Sequence, residues 1–73
     1  MNKALLKSIM IIHGDGVKDM ACFLNISPQS VYNKMNEVVL PSGNKAEFGK
    51  NEIKLICERY NLTEKQLKLI FFN

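Results

Sequence analysis

The sequence predicts an all-α fold, a compact five-helix bundle that occupies residues 1–73 as one domain. Apolar residues recur every three or four positions along most of the chain, which is the spacing of amphipathic helices. No segment alternates apolar and polar residues over the length of a strand ladder. Residues that favour helix ends separate the apolar stretches. With 73 residues, the chain has room for a single core.

The first helix is predicted from Lys3 to His13 and the second from Val17 to Leu24. Asn2 is suited to cap the first helix at its N-terminus, and Gly14 is suited to follow its last turn. Helical spacing predicts an apolar stripe on the first helix, made of Leu5, Ile9 and Ile12. On the second helix the same spacing predicts a face of Val17, Met20, Ala21 and Leu24.

A sharp break at residues 25–27 precedes the third helix, which is predicted from Pro28 to Met35. Asn25 tolerates the left-handed backbone conformation that follows many helices. Ser27 is a strong N-cap residue, and Pro28 suits the first helical position because its missing N–H needs no partner there. These three residues therefore predict a tight turn between two short helices.

The longest stretch predicted to be irregular runs from Asn36 to Glu47, with a loop signal at Pro41-Ser42-Gly43-Asn44. The fourth helix follows from Lys50 to Tyr60. Thr63 and Gln66 then match a capping box that opens a fifth helix from Glu64 to Phe71.

Composition argues against several classes of function. The net charge of +3 suits a polyanionic partner without requiring one. Cys22, Cys57 and His13 are too few and too scattered for a zinc site, so no metal or cofactor is expected. No catalytic constellation is present. No signal for export or membrane anchoring is found, and two reduced thiols favour the cytoplasm.

Residues 17–35 match the pattern of a helix-turn-helix. Ala21 is a small residue in the middle of the first helix, as steeply crossing helices require where they touch. A wedge between the helices is predicted from Met20, Leu24, Ile26 and Val31. This arrangement predicts that the helix beginning at Pro28 presents its outer face to a partner.

The outward residues of that helix suit DNA. No acidic residue occurs from Met20 to Asn36, whereas ordinary solvated helices mix Glu with Lys. Amide side chains can pair with adenine, and lysine can reach guanine or phosphate. A merely solvated surface is the alternative, and the neighbouring turn favours DNA contact. The predicted DNA-binding residues are Lys18, Ser27, Pro28, Gln29, Ser30, Tyr32, Asn33, Lys34, Asn36 and Lys45.

The chain resembles the Cro and repressor-type (XRE-like) helix-turn-helix proteins of phages and bacteria. The resemblance is carried by Lys18-Asp19-Met20-Ala21, Leu24-Asn25-Ile26-Ser27 and Gln29-Ser30-Val31-Tyr32. It extends downstream to Ala46-Glu47-Phe48, Glu52-Ile53-Lys54-Leu55-Ile56 and Tyr60-Asn61-Leu62-Thr63. It implies a lambda repressor-like fold, a recognition helix in the major groove of operator DNA, and a homodimer on a palindromic site. The chain departs from the family at Val17, where a phosphate-binding glutamine is common, and in a longer loop after Asn36.

A second hypothesis keeps the same fold but makes the protein an antirepressor that binds a partner repressor protein. It depends on apolar residues at predicted surface positions, namely Phe23, Leu69 and Phe72. Phe23 is expected instead to pack under the long loop, against Val39 or Leu40. Neither hypothesis involves a membrane or a small-molecule substrate.

Overall fold

The computed structural model describes residues 1–72 and confirms the all-α fold. The chain forms five helices, which are α1 (Lys3–Ile12), α2 (Val17–Leu24), α3 (Pro28–Met35), α4 (Lys50–Tyr60) and α5 (Glu64–Phe71). The bounds of α2 to α5 are those predicted. The first helix ends one residue earlier than predicted, because His13 is its C-terminal cap and Gly14 follows with a φ of +76°.

The predicted capping residues form the expected hydrogen bonds. The Asn2 side chain accepts a hydrogen bond from the backbone N–H of Leu5 at 3.1 Å. Thr63 and Gln66 exchange two, with the Gln66 N–H donating to Thr63 Oγ1 at 3.1 Å and the Thr63 N–H donating to Gln66 Oε1 at 2.9 Å. Each cap satisfies a backbone donor that has no partner inside its helix.

The core takes one fully buried side chain from each helix. In chain order these are Leu6, Met20, Val31, Ile56 and Ile70. Two aromatic residues close the core, and the ring of Phe48 meets that of Phe71 edge to face with centroids 6.3 Å apart. Burial of these side chains is the main stabilising term, as in other small domains.

The predicted apolar stripe of α1 is wrong at its C-terminal end. Ile12 is 79% exposed, and the residues that enter the core are Leu6, Ile9 and Met10. A helix advances about 100° per residue, so Ile12 points well away from the direction that these three residues share. The sequence offered several apolar stripes on α1, and only packing against the other helices selected one.

The stretch after α3 is also more regular than predicted. An isolated antiparallel bridge joins Val39 to Lys45, and the backbone N–H of Ala46 donates to the Val38 carbonyl at 2.8 Å. At the tip, Gly43 has a φ of +90° and donates its N–H to the Leu40 carbonyl at 2.8 Å. Pro41 and this left-handed glycine are the residues that such a three-residue turn favours. We call residues 38–46 the hairpin.

An ionic cluster fastens the turn between α1 and α2 to the end of α4. Arg59 makes two hydrogen bonds to the Asp15 carboxylate, at 2.8 and 2.9 Å, and the Tyr60 hydroxyl donates a third at 2.7 Å. Hydrogen bonds from Arg59 and then Tyr60 lower the pKa of Asp15 from 3.8 to about 2. Burial, followed by the bond to Asp15, raises the pKa of Tyr60 to about 12. The cluster therefore favours a charged Asp15.

None of the helices in residues 1–72 has the length and apolar character needed to cross a lipid bilayer.

Candidate nucleic-acid interface

Residues 17–35 form two helices joined by a turn of three residues. Asn25 adopts the left-handed conformation, with φ 58° and ψ 42°, and ends α2. The backbone N–H of Ile26 then donates to the Ala21 carbonyl at 3.0 Å, which closes the turn. Ala21 and Leu24 are buried, as predicted, whereas Ile26 is half-buried against the edge of the core. The turn thus sets the direction in which α3 leaves α2.

The N-terminus of α3 is exposed and well capped. Ser27 Oγ accepts a hydrogen bond from the backbone N–H of Ser30 at 3.1 Å, and its own hydroxyl donates to Ser30 Oγ at 2.9 Å. Pro28 occupies the first turn. The helix dipole leaves this end with partial positive charge, which suits a nearby phosphate.

Two amides on the outer face of α3 are bonded to each other. Gln29 is exposed and Asn33 is half-buried. Gln29 Nε2 donates to Asn33 Oδ1 at 2.9 Å, across one turn of the helix. This bond restricts the rotation of both side chains and still leaves Gln29 Oε1 and one N–H facing outward. Tyr32, which is 54% exposed, lies beside the pair.

The C-terminal end of α3 is not acid-free in space, although it is in sequence. Lys34 Nζ lies 2.8 Å from each carboxylate oxygen of Glu52, and both side chains are less than a quarter exposed. The same carboxylate accepts the backbone N–H of Gly49 at 2.8 Å and so caps α4. Lys34 is therefore held by the protein itself, which weakens its predicted role as a DNA contact.

Asn36 is also used within the protein. Its side-chain N–H donates to the Tyr32 carbonyl at 2.8 Å, which ties off the end of α3, and its Oδ1 accepts a hydrogen bond from Lys3 Nζ at 2.7 Å. Lys3 is a cation near α3 that sequence analysis did not identify. Nothing in the sequence pairs α1 with α3, and only the folded chain brings these residues together.

The hairpin extends the outer face of α3. A shallow groove runs between the two and is lined by Ser30, Asn33 and Lys34 on one side and by Leu40, Lys45, Ala46 and Glu47 on the other. Lys45 thus joins the predicted α3 residues, as expected, and brings Glu47 with it. Lys18 is exposed at the start of α2, outside this groove.

The three predicted partner-binding residues differ in their surroundings. Phe23 is half-buried against the core, and the Arg59 guanidinium lies 5.0 Å from the centre of its ring. Core residues and Arg59, the side chain that also grips Asp15, thus cover Phe23, where the loop was expected to do so. Leu69 and Phe72 are 42% and 69% exposed on α5.

These positions divide the interface into two parts with different electrostatics. The N-terminal half of α3, with Gln29 and Ser30, is neutral, rich in hydrogen-bonding groups and close to a positive helix end. The C-terminal half has Lys34 neutralised by Glu52, with Glu47 nearby in the groove. The first half is therefore the part best suited to contact bases or phosphates. Comparison with known proteins finds no matching family model, no similar curated protein and no similar solved structure.

Proposed function

We propose that this protein is a sequence-specific DNA-binding regulator of transcription. In this proposal residues 17–35 act as a helix-turn-helix, and α3 lies in the major groove, which is wide enough to admit a helix. The observation that carries the proposal is the bonded pair Gln29–Asn33 on the exposed face of α3. The role is one of binding, without catalysis, and belongs to the cytoplasm, in keeping with the free thiols of Cys22 and Cys57.

The amide pair has the chemistry to recognise adenine. Gln29 Nε2 uses one of its two hydrogens on Asn33, so the second hydrogen and Oε1 are left for a base. Adenine presents an acceptor at N7 and a donor at N6 in the major groove, which matches that pattern. Asn33 holds Gln29 in place, and less side-chain entropy is therefore lost on binding.

The residues around the pair fit contacts with the DNA backbone. Ser27 and Pro28 lie at the positive end of α3, and Tyr32 flanks the amides. Lys45 lies across the groove from Ser30 and Asn33. Such contacts position a protein on the duplex, whereas contacts with base edges determine its sequence preference.

Selection from random duplexes, followed by binding titrations, tests the proposal. We expect one enriched sequence, and we expect Gln29→Ala and Asn33→Ala each to weaken its binding by about 10-fold, since a bidentate base contact contributes roughly 1–3 kcal/mol. Asn51→Ala removes an exposed amide from α4 and serves as the matched control. A failure to enrich any duplex, or equal binding by all variants, would rule out this function.

A second candidate, an antirepressor that binds a partner repressor protein, is favoured by the exposure of Leu69 and Phe72. Large exposed apolar side chains on a small domain commonly mark protein contacts. The covered position of Phe23 removes part of its motivation. A stable complex with a repressor that Phe72→Lys abolishes, together with negligible DNA binding by the chain alone, would favour this candidate.

A further inference from the structure

Helix α1 is apolar on two opposite faces. Its sequence is KALLKSIMII, and its core face consists of Leu6, Ile9 and Met10. About 180° away lies a second face, which we call the outer face of α1 and which consists of Ala4, Ser8, Ile11 and Ile12. All four of its residues are exposed. A helix that is apolar all round is normally covered on every side.

The outer face includes the most exposed large apolar residues near either end of α1. Ile11 is 68% exposed and Ile12 is 79% exposed. They are neighbours in sequence and share one side of the helix, so they form one patch and not two isolated positions. Surface patches of this kind on soluble domains usually mark a binding surface.

We propose that a second copy of this chain covers the outer face of α1, with the two α1 helices antiparallel about a two-fold axis near Ser8. In this arrangement Ala4 of each copy lies beside Ile11 and Ile12 of the other. The small residues at one end thus leave room for the large residues from the other end, which allows the helices to pack closely. A two-fold axis uses the same surface on both copies.

The polar groups of α1 agree with this arrangement. Ser8 Oγ donates to the Ala4 carbonyl at 3.0 Å, so the hydroxyl at the centre of the interface already has a partner. The charged side chains of α1 are Lys3 and Lys7. Antiparallel pairing about Ser8 places Lys3 opposite His13, whereas parallel pairing would place each lysine opposite its own copy. Repulsion between like charges therefore favours the antiparallel pair.

The contact is short, since Ala4 to Ile12 spans about 12 Å along the helix. An interface of this size falls among the weak and transient ones. We therefore expect a monomer–dimer equilibrium whose dissociation constant lies at about 10 µM or above. This association needs no DNA, and its test is independent of the proposed function.

Sedimentation equilibrium of the full chain without DNA measures the association. The average mass of the wild type should rise with concentration toward that of two chains. The double variant Ile11→Lys/Ile12→Lys should keep the mass of one chain, with the helical circular dichroism of the wild type because neither residue enters the core. Val39→Lys is the matched control, since Val39 is 66% exposed on the hairpin, and it should associate like the wild type.

Cross-linking tests the position of the axis. In a Cys22→Ser/Cys57→Ser background, Ser8→Cys should form a disulfide between copies at least about 10-fold faster than Lys54→Cys, an exposed position on α4. A wild type that stays monomeric at all concentrations would overturn the proposal, including the case in which it binds lipid vesicles or another protein instead. Equal rates for the two cysteine variants would overturn the antiparallel pairing.

Discussion

At the scale of single residues, the structure shows that a side chain's chemistry and its availability are separate questions. Gln29 and Lys34 both suit DNA by residue type. Gln29 remains exposed with hydrogen-bonding capacity to spare, whereas Lys34 is paired with Glu52. Under the proposed function, Glu52 thus removes one positive charge from the DNA-facing surface.

Replacement of Glu52 by glutamine tests this competition. Glu52→Gln keeps an acceptor for the Gly49 N–H but removes the carboxylate that holds Lys34. We expect tighter DNA binding and a steeper salt dependence, with a log–log slope more negative by about 0.9, because one more cation reaches a phosphate. Glu58→Gln makes the same charge change at an exposed position elsewhere on α4. Identical slopes for the two variants would contradict the expectation.

At the scale of secondary-structure elements, local sequence accounts for most of what is observed. Asn2, Ser27 and Thr63 cap the helices they were expected to cap, because a side-chain oxygen and a backbone N–H a few residues apart depend on little else. The hairpin shows the same locality, although it was not predicted. Pro41 followed by Gly43 is a signal for a three-residue hairpin turn that was taken only as a loop.

The turn of the hairpin makes a sharp prediction about Gly43. Its φ of +90° is unfavourable for any residue with a Cβ, although the space around it is open. Gly43→Ala should therefore lower the free energy of unfolding by about 1 kcal/mol through backbone strain alone. Urea unfolding measures the change, and Ser42→Ala, a neighbouring exposed substitution, should alter it by less than about 0.5 kcal/mol. An equal effect of the two substitutions would show that the turn is not strained.

At the scale of the whole molecule, contacts between distant residues hold the helices in place. Asp15 and Arg59 are separated by 44 positions yet form two hydrogen bonds, and Tyr60 adds a third over 45 positions. The Asp15 side chain is only 8% exposed in this cluster. A buried, fully bonded carboxylate of this kind makes stability depend on pH.

Acid should weaken the protein through Asp15. Its pKa is lowered in the folded state from 3.8 to about 2, so its contribution is complete above pH 4 and is lost as the pH falls from about 4 to 2. Asp15→Asn should destabilise the protein at pH 7 by about 1–2 kcal/mol and should reduce the loss on acidification. Urea unfolding at both pH values gives the comparison, with the exposed Glu58→Gln as control. If Asp15→Asn loses as much stability in acid as the wild type, Asp15 is not responsible.

The sequence by itself determined the helices, because capping and turn preferences act between residues a few positions apart, and one apolar residue in each helix was enough to define a core. Only the tertiary structure decided which face of α1 is buried, which cations are already paired and what covers Phe23. Those outcomes depend on residues such as Glu52 and Arg59, which lie far along the chain from their partners. Local patterns carry no information about contacts that form only when the helices pack together.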